Sequence, residues 1–315
     1  MGIDIGSVSA KGVIIDKYDN IMASAYIYTF GNPIKGVVEV LKGLKKEIDL
    51  DKYEVVAVGV TGSARKLIGS MLGAVVIKNE ITALVAGIER VIPNIKTIFE
   101  IGGEDSKIVL INNGNIMDYS INSSCMAGCG SFIDSFARRL DVNISDFGKI
   151  AINSKKKINV DARCMVFTET DLVNKIQEGY KKEDIAFGLC YGIASNFVNN
   201  LTKGKKIQTP IAFLGGVSKN EVVVNLVSNM IGEKIVVDKN SHLMGAMGIA
   251  FMARDSKKTQ VFDFNVEDYS IETKIANCSK CSNNCEIVTI YKNSKIIDYW
   301  GNKCSSGNIV KTSNS

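Results

Sequence analysis

The stretch Asp4-Ile5-Gly6-Ser7-Val8-Ser9 decides how this chain is read, because a second stretch, Gly102-Gly103-Glu104-Asp105-Ser106, repeats its logic. Apolar residues from Gly2 to Ile5 lead into the first turn, and Lys11 to Ile15 returns as a second apolar run. That is strand, tight turn, strand. Ile98 to Ile101 and Lys107 to Ile111 flank the second turn in the same way. Two such units about a hundred residues apart predict a duplicated α/β architecture, with a period too long for a solenoid.

Helices and strands fill the space around these hairpins. Val37, Val40, Leu41, Leu44 and Ile48 fall on one helical face. Tyr53 to Val60 reads as a β-branched run that Thr61-Gly62-Ser63 breaks, and Lys78 to Ile92 reads as a helix that stops at Pro93. Further helices are expected around 131–140, 169–178, 184–203 and 243–253. Strands are expected at 211–214 and 235–237. The organisation read from this pattern is lobe I over 1–92, lobe II over 93–253, a linker over 254–277 where periodicity fades, and a Cys-rich module over 278–315.

The glycine turns predict phosphate chemistry. Neither GxxxxGK[ST] nor GxGxxG occurs, so a P-loop and a dinucleotide fingerprint are both excluded. Gly6 lets the backbone approach an anion, and the turn N–H groups with the Ser7 and Ser9 hydroxyls can bond phosphate oxygens. Asp4 can hold Mg²⁺ through water. Gly102, Gly103, Asp105 and Ser106 offer the same set again, and Gly215-Gly216-Val217-Ser218-Lys219-Asn220 follows a third strand. Any one turn alone would be a plain hairpin. Together they predict a clamp for the phosphates of ATP or ADP and their metal, with Lys11, Gly215, Gly216, Lys219 and Gly245 as further nucleotide-side positions.

Composition narrows the rest. The chain has 315 residues, 46% apolar and 23% charged, with 38 basic against 33 acidic side chains and a formal net charge of +5. That mild balance, a single Trp and one short basic run, Lys155-Lys156-Lys157, argue against nucleic acid as a partner. No run approaches a membrane span and the start has no basic leader, so the expected location is cytoplasmic. In a reducing compartment eight clustered cysteines point to metal or redox chemistry more than to disulfides.

Cys125 stands in Ser124-Cys125-Met126-Ala127-Gly128-Cys129-Gly130, ahead of an amphipathic helix. Cys164 precedes Thr168-Glu169-Thr170-Asp171, which has capping-box spacing. Helix N-termini favour thiolates and anionic clusters. Two cysteines are too few for a four-thiolate cluster, but a symmetric dimer doubles the count. The tail, Cys278-x2-Cys281-x3-Cys285-x18-Cys304, has metal-ligand spacing, and a second iron–sulfur cluster is preferred there to structural zinc. Cys190, on an apolar helix, reads as core, and the lone His242 as a packing or capping residue.

From residue 2 to 255 the chain resembles the ATP-dependent activators (reductases) of 2-hydroxyacyl-CoA dehydratases and their benzoyl-CoA reductase relatives, within the actin-like superfamily that includes acetate and sugar kinases. The resemblance rests on Asp4 to Ser7, Ile101 to Asp105, Cys125 to Gly130, Cys164 to Thr170 and Gly215 to Val217. It implies ribonuclease H-like, actin-like lobes around a nucleotide cleft. It also implies a homodimer sharing one [4Fe–4S] cluster through Cys125 and Cys164, electrons from ferredoxin or flavodoxin, and an iron–sulfur dehydratase or reductase as acceptor. Glu104 replaces the family's Gln, which would orient the attacking water; Glu104 and Asp105 are the catalytic candidates. Cys129 replaces the family's Thr. The rivals are a small-molecule kinase on the same fold, which leaves the cysteines unexplained, and a nucleotide-switched binding module with a zinc tail.

Overall fold

The computed structural model describes residues 1–122, 128–160, 164–265 and 271–304. Contacts divide the chain into two units. One holds Met1–Ile5, Ala10–Asn79 and the chain from Ile249 onward; the other holds Gly6–Ser9 and Glu80–Gly248.

The first unit is built on a five-stranded sheet. Strands β1 (Gly2–Ile5), β2 (Ser9–Ile15), β3 (Ile21–Tyr28), β4 (Gly59–Thr61) and β5 (Val76–Ile77) lie in the order β3-β2-β1-β4-β5. β1 runs antiparallel to β2 and parallel to β4. Helix α1 (Pro33–Glu47) starts where Asn32 accepts the Lys35 N–H and Pro33 presets the first turn. Its face of Val37, Val40, Leu41 and Leu44 is fully buried with Ile3 and Ile5. Each such side chain contributes about 1.5–3 kcal/mol. Helix α2 (Arg65–Leu72) follows β4 and ends at Gly73 in the left-handed region, φ +62°.

The second unit repeats this plan. Helix α3 (Glu80–Val91) precedes strands β6 (Thr97–Ile101), β7 (Ser106–Asn112) and β8 (Asn115–Asn122), and later β9 (Ile211–Leu214) and β10 (Ile235–Val236) complete the sheet. The order is β10-β9-β6-β7-β8, which is the first sheet's order read from its other edge. Again the hairpin β6–β7 is antiparallel and the crossover pair β6–β9 parallel. Helices α4 (Gly130–Arg139), α5 (Phe147–Ile152), α6 (Met165–Gln177), α7 (Lys182–Leu201) and α8 (Glu221–Ile231) belong to this unit. Its core centres on Phe99, Phe132, Phe136, Phe147, Phe197 and Phe213, all buried. Rings of Phe99 and Phe197 meet edge to face at 5.2 Å.

Three expectations change. Of the run 53–60 only Gly59 and Val60 pair, in a strand that continues to Thr61. The carbonyls of Val55 and Val56 instead accept backbone N–H groups from Phe262 and Gln260. Those donors lie in the stretch read as a linker, which is therefore tied to the first unit, with Phe264 buried in its core. Finally, the end of that stretch and the Cys-rich tail together form a three-stranded antiparallel meander of β11 (Ile271–Asn277), β12 (Glu286–Lys292) and β13 (Lys295–Trp300). Ser70 of α2 donates a hydrogen bond to Asp298 of β13.

Candidate nucleotide and cysteine site

The two hairpins share the same pairing register, residue for residue. In the first, Ile5 faces Ala10 and Asp4 faces Lys11. In the second, Ile101 faces Ser106 and Glu100 faces Lys107. Each turn is closed by one bond, Gly6 N–H to Ser9 O at 3.0 Å and Gly102 N–H to Asp105 O at 2.9 Å. Both turns thus have four residues between paired positions. The register makes Glu100 the counterpart of Asp4, and Lys107 the counterpart of Lys11. Asp105, read from sequence as the second Asp4, stands where the first hairpin has Ser9.

The electrostatics of the two acids differ. Lys11 Nζ lies 3.4 Å from Asp4 Oδ2, with both side chains partly exposed. Lys107 is sealed, its side chain 3% exposed, and its Nζ lies 2.6 Å from Asp105 Oδ1, 2.9 Å from Glu100 Oε2 and 3.6 Å from Glu80 Oε1. Burial pushes the Glu100 carboxyl above its ordinary value, against the pull of Lys107. The surrounding acids hold Lys107 firmly charged despite its burial. One cation among three carboxylates leaves two negative charges over if all three are ionised. Neither Glu100 nor Lys107 was marked from sequence. Aligning D-I-G-S-V-S-A-K on E-I-G-G-E-D-S-K would have found both.

The turns fit an anionic phosphate group. Ser106 is fully buried and its hydroxyl has no partner among the described residues. A Cβ on Gly103 would meet the Val8 side chain at 2.7 Å, so only glycine lets the two turns lie this close. Gly215 has φ +87°, and a Cβ there would lie 2.3 Å from Ile101 O. Ser7 is exposed and Ser9 buried. Gly216 and Lys219 are exposed on the 3₁₀ turn after β9, and partial burial lowers the Lys219 ammonium below its usual value. Gly245 is buried at the start of helix α9 (Met244–Asp255). The small residues of α3 and α9 serve packing: a Cβ on Gly87 would meet Met244 O at 2.6 Å, and one on Gly248 would collide with Ala83 O.

The second turn is also bonded to the segment that follows Cys125. Gly130 N–H donates to Gly102 O at 2.8 Å, Ser131 N–H to Gly103 O at 2.9 Å, and Ser131 Oγ to Gly103 O at 2.6 Å. The buried Cys129 thiol donates to Glu104 O at 2.9 Å. Cys129 therefore has a role as N-cap of α4 that latches the turn. The Glu104 side chain points into solvent.

Cys125 lies outside the described residues. Cys164 is half-buried and is itself the N-cap of α6, with extended backbone at φ −148°. The capping-box reading placed this helix four residues too late: Thr168 lies inside it and returns its hydroxyl to Cys164 O at 2.8 Å. Glu169 pairs instead with Arg139 at the end of α4, at 2.5 Å. Cys190 is core as expected, with burial raising its thiol to about 12 and Asn220 Nδ2 donating to its sulfur at 3.5 Å.

The tail thiols are not gathered into a site. Cys278 N–H bonds Cys285 O at 2.8 Å, closing the loop between β11 and β12, but Cys285 is buried while Cys281 and Cys304 are exposed. Among the described residues no three His, Cys, Asp or Glu side chains stand in a metal-binding group. His242 lies on a 3₁₀ turn before α9.

Residues 1–253 match the BadF/BadG/BcrA/BcrD ATPase family. The chain belongs to that family. A 2-hydroxyisocaproyl-CoA dehydratase activator from Clostridioides difficile is 33% identical over 82% of this chain and 96% of its own length. An (R)-2-hydroxyglutaryl-CoA dehydratase activating ATPase from Acidaminococcus fermentans is 26% identical over 80% and 96%. The solved activator of the 2-hydroxyisocaproyl-CoA dehydratase from Clostridium difficile, with bound ADPNP, has a TM-score of 0.75 at 31% identity, over 81% of this chain and 94% of that one. The fold is accordingly actin-like, and the family match stops short of the tail meander. Among the described residues no helix is long and apolar enough to cross a membrane.

Proposed function

We propose that this ATPase-family protein uses ATP hydrolysis to drive low-potential electron transfer. Two copies share one [4Fe–4S] cluster, ligated by Cys125 and Cys164 of each. The dimer takes electrons from a ferredoxin or flavodoxin and passes them to a partner iron–sulfur enzyme such as a 2-hydroxyacyl-CoA dehydratase or a benzoyl-CoA-type reductase. When bound, the cluster supplies a one-electron couple whose potential follows its exposure and the hydrogen bonds to its sulfurs.

The observation that carries this reading is the set of bonds from Cys129, Gly130 and Ser131 to the three carbonyls of Gly102, Gly103 and Glu104. The turn proposed to hold phosphate through Gly102, Gly103 and Ser106 is hydrogen-bonded to the start of α4, five residues beyond Cys125. Asp4 would hold Mg²⁺ through water, and Asp105 is the candidate carboxylate for it in the second hairpin. A displacement of the turn on ATP binding or hydrolysis is therefore passed directly to the cysteine segment. The Arg139–Glu169 pair joins α4 to α6, whose N-cap is Cys164. No step is assigned to the tail cysteines.

The test is electron delivery. Anaerobically prepared protein, given reduced ferredoxin and a 2-hydroxyacyl-CoA dehydratase, is expected to reduce that enzyme only with ATP and Mg²⁺, and Cys164→Ser is expected to abolish the transfer. Colourless, iron-free protein that phosphorylates a sugar or carboxylate would support the kinase reading instead.

A further inference from the structure

The first sheet contains an unrecognised copy of the Gly215 turn. Asp4 pairs with Thr61 across β1 and β4, and Glu100 pairs with Leu214 across β6 and β9. The next residue is a left-handed glycine in both places, Gly62 at φ +95° and Gly215 at φ +87°. A Cβ on Gly62 would lie 2.4 Å from Ile5 O and 2.8 Å from Asp4 Oδ1. A Cβ on Gly215 would lie 2.3 Å from Ile101 O and 3.0 Å from Glu100 Oε1. Each glycine thus presses its backbone against the carboxylate at the matching position.

The turn after Thr61 is firmly held. Ala64 N–H donates to Ile5 O at 3.2 Å, Ser63 Oγ to the same carbonyl at 3.3 Å, and Arg65 Nη1 to Gly62 O at 2.9 Å. The copies differ where it matters. Leu214 has no polar group to satisfy. Thr61 is fully buried, and its hydroxyl has no partner among the described residues. Leaving a buried hydroxyl unbonded costs stability, so such a group points to a partner it meets in another state. Register partners on neighbouring strands carry their side chains on the same face of the sheet. The Thr61 side chain therefore shares a face with Asp4, whose Oδ2 lies 3.4 Å from Lys11 Nζ.

We propose that Thr61 is a positioning residue for Asp4: its hydroxyl donates to the Asp4 carboxylate when a magnesium nucleotide draws that carboxylate away from Lys11. The inference rests on the reading that Asp4 serves the cation. Lys11 holds the acid when no cation is present. A divalent cation competes for the same charge, and Thr61 then fixes the orientation that Lys11 no longer controls. The second half has no such hydroxyl, because Glu100 is already fixed by Lys107.

Magnesium titrations of the full-length chain with a fluorescent, non-hydrolysable ATP analogue test this, alongside melting curves without ligand. Thr61→Val is expected to need about tenfold more Mg²⁺ for half-maximal binding, the value of one hydrogen bond to a charged group. Its ligand-free melting temperature is expected to be no lower than the parent's, since the unbonded hydroxyl is gone. Thr61→Ser is expected to titrate like the parent, and Asp4→Asn to shift further than Thr61→Val. If Asp4→Asn shifts and Thr61→Val does not, the Thr61 inference is overturned alone. If neither shifts, the role given to Asp4 falls first. A Thr61→Val chain that melts well below the parent marks a structural threonine and also overturns the proposal.

Discussion

Asp4 and Glu100 occupy one position in two hairpins of equal length, yet their surroundings are opposite. Asp4 is partly open and shares one lysine at 3.4 Å. Glu100 is enclosed and shares its lysine with Asp105 and Glu80. The first hairpin leaves its acid partly open beside one lysine. The second is locked by a charge network and bonded through its carbonyls to the start of α4. The duplicated fold thus places a partly open carboxylate and an enclosed one at matching positions, and among the described residues the second turn is bonded to the start of α4.

The sharpest way to break this contrast is to remove the two lysines in turn. Lys107→Met leaves three carboxylates without their buried cation and is expected to cost about 3–5 kcal/mol. Lys11→Met removes a partly exposed pair and is expected to cost at most about 1 kcal/mol. Denaturant melts of both variants check the difference; equal losses would contradict it.

The glycines test where the halves agree. Gly62→Ala and Gly215→Ala each place a Cβ against a carbonyl at a left-handed position, so each is expected to lose about 1–3 kcal/mol. Thermal unfolding measures both.

A smaller effect sharpens the difference in burial. Glu100 has a folded pKa above the ordinary 4.5, so the stability its protonated form contributes is complete below 4.5 and is lost as pH rises through the raised folded value. In that window the parent is expected to lose up to about 1.4 kcal/mol per pH unit relative to Glu100→Gln. Paired pH–stability curves that run parallel would refute it.

Much of the fold was legible because its signals are local. Glycine turns between apolar runs, the Val37–Leu44 stripe and the Gly215 turn all survive in the structure. What was missed depends on pairing across strands. Lys107 and Glu100 look ordinary until the register sets them opposite one another, and an acid inside the second turn drew the comparison with Asp4 to the wrong residue. Thr61 looked like a strand breaker because its partner is 57 positions away in sequence but adjacent in the sheet. In the tail the cysteine spacing outweighed the β-branched run of Glu286–Lys292, which forms the middle strand of the meander. Cys164 was found, but its helix begins at Met165, because the chain enters the helix directly from the cysteine.

The most direct measurement is iron and acid-labile sulfide on anaerobically purified parent, Cys164→Ser and Cys190→Ser, with the mass of each in solution. The account predicts a dimeric parent from which Cys164→Ser removes one [4Fe–4S] cluster per two chains, while Cys190→Ser keeps its full content. A Cys164→Ser protein with the parent's iron, or a monomeric parent with none, would contradict it.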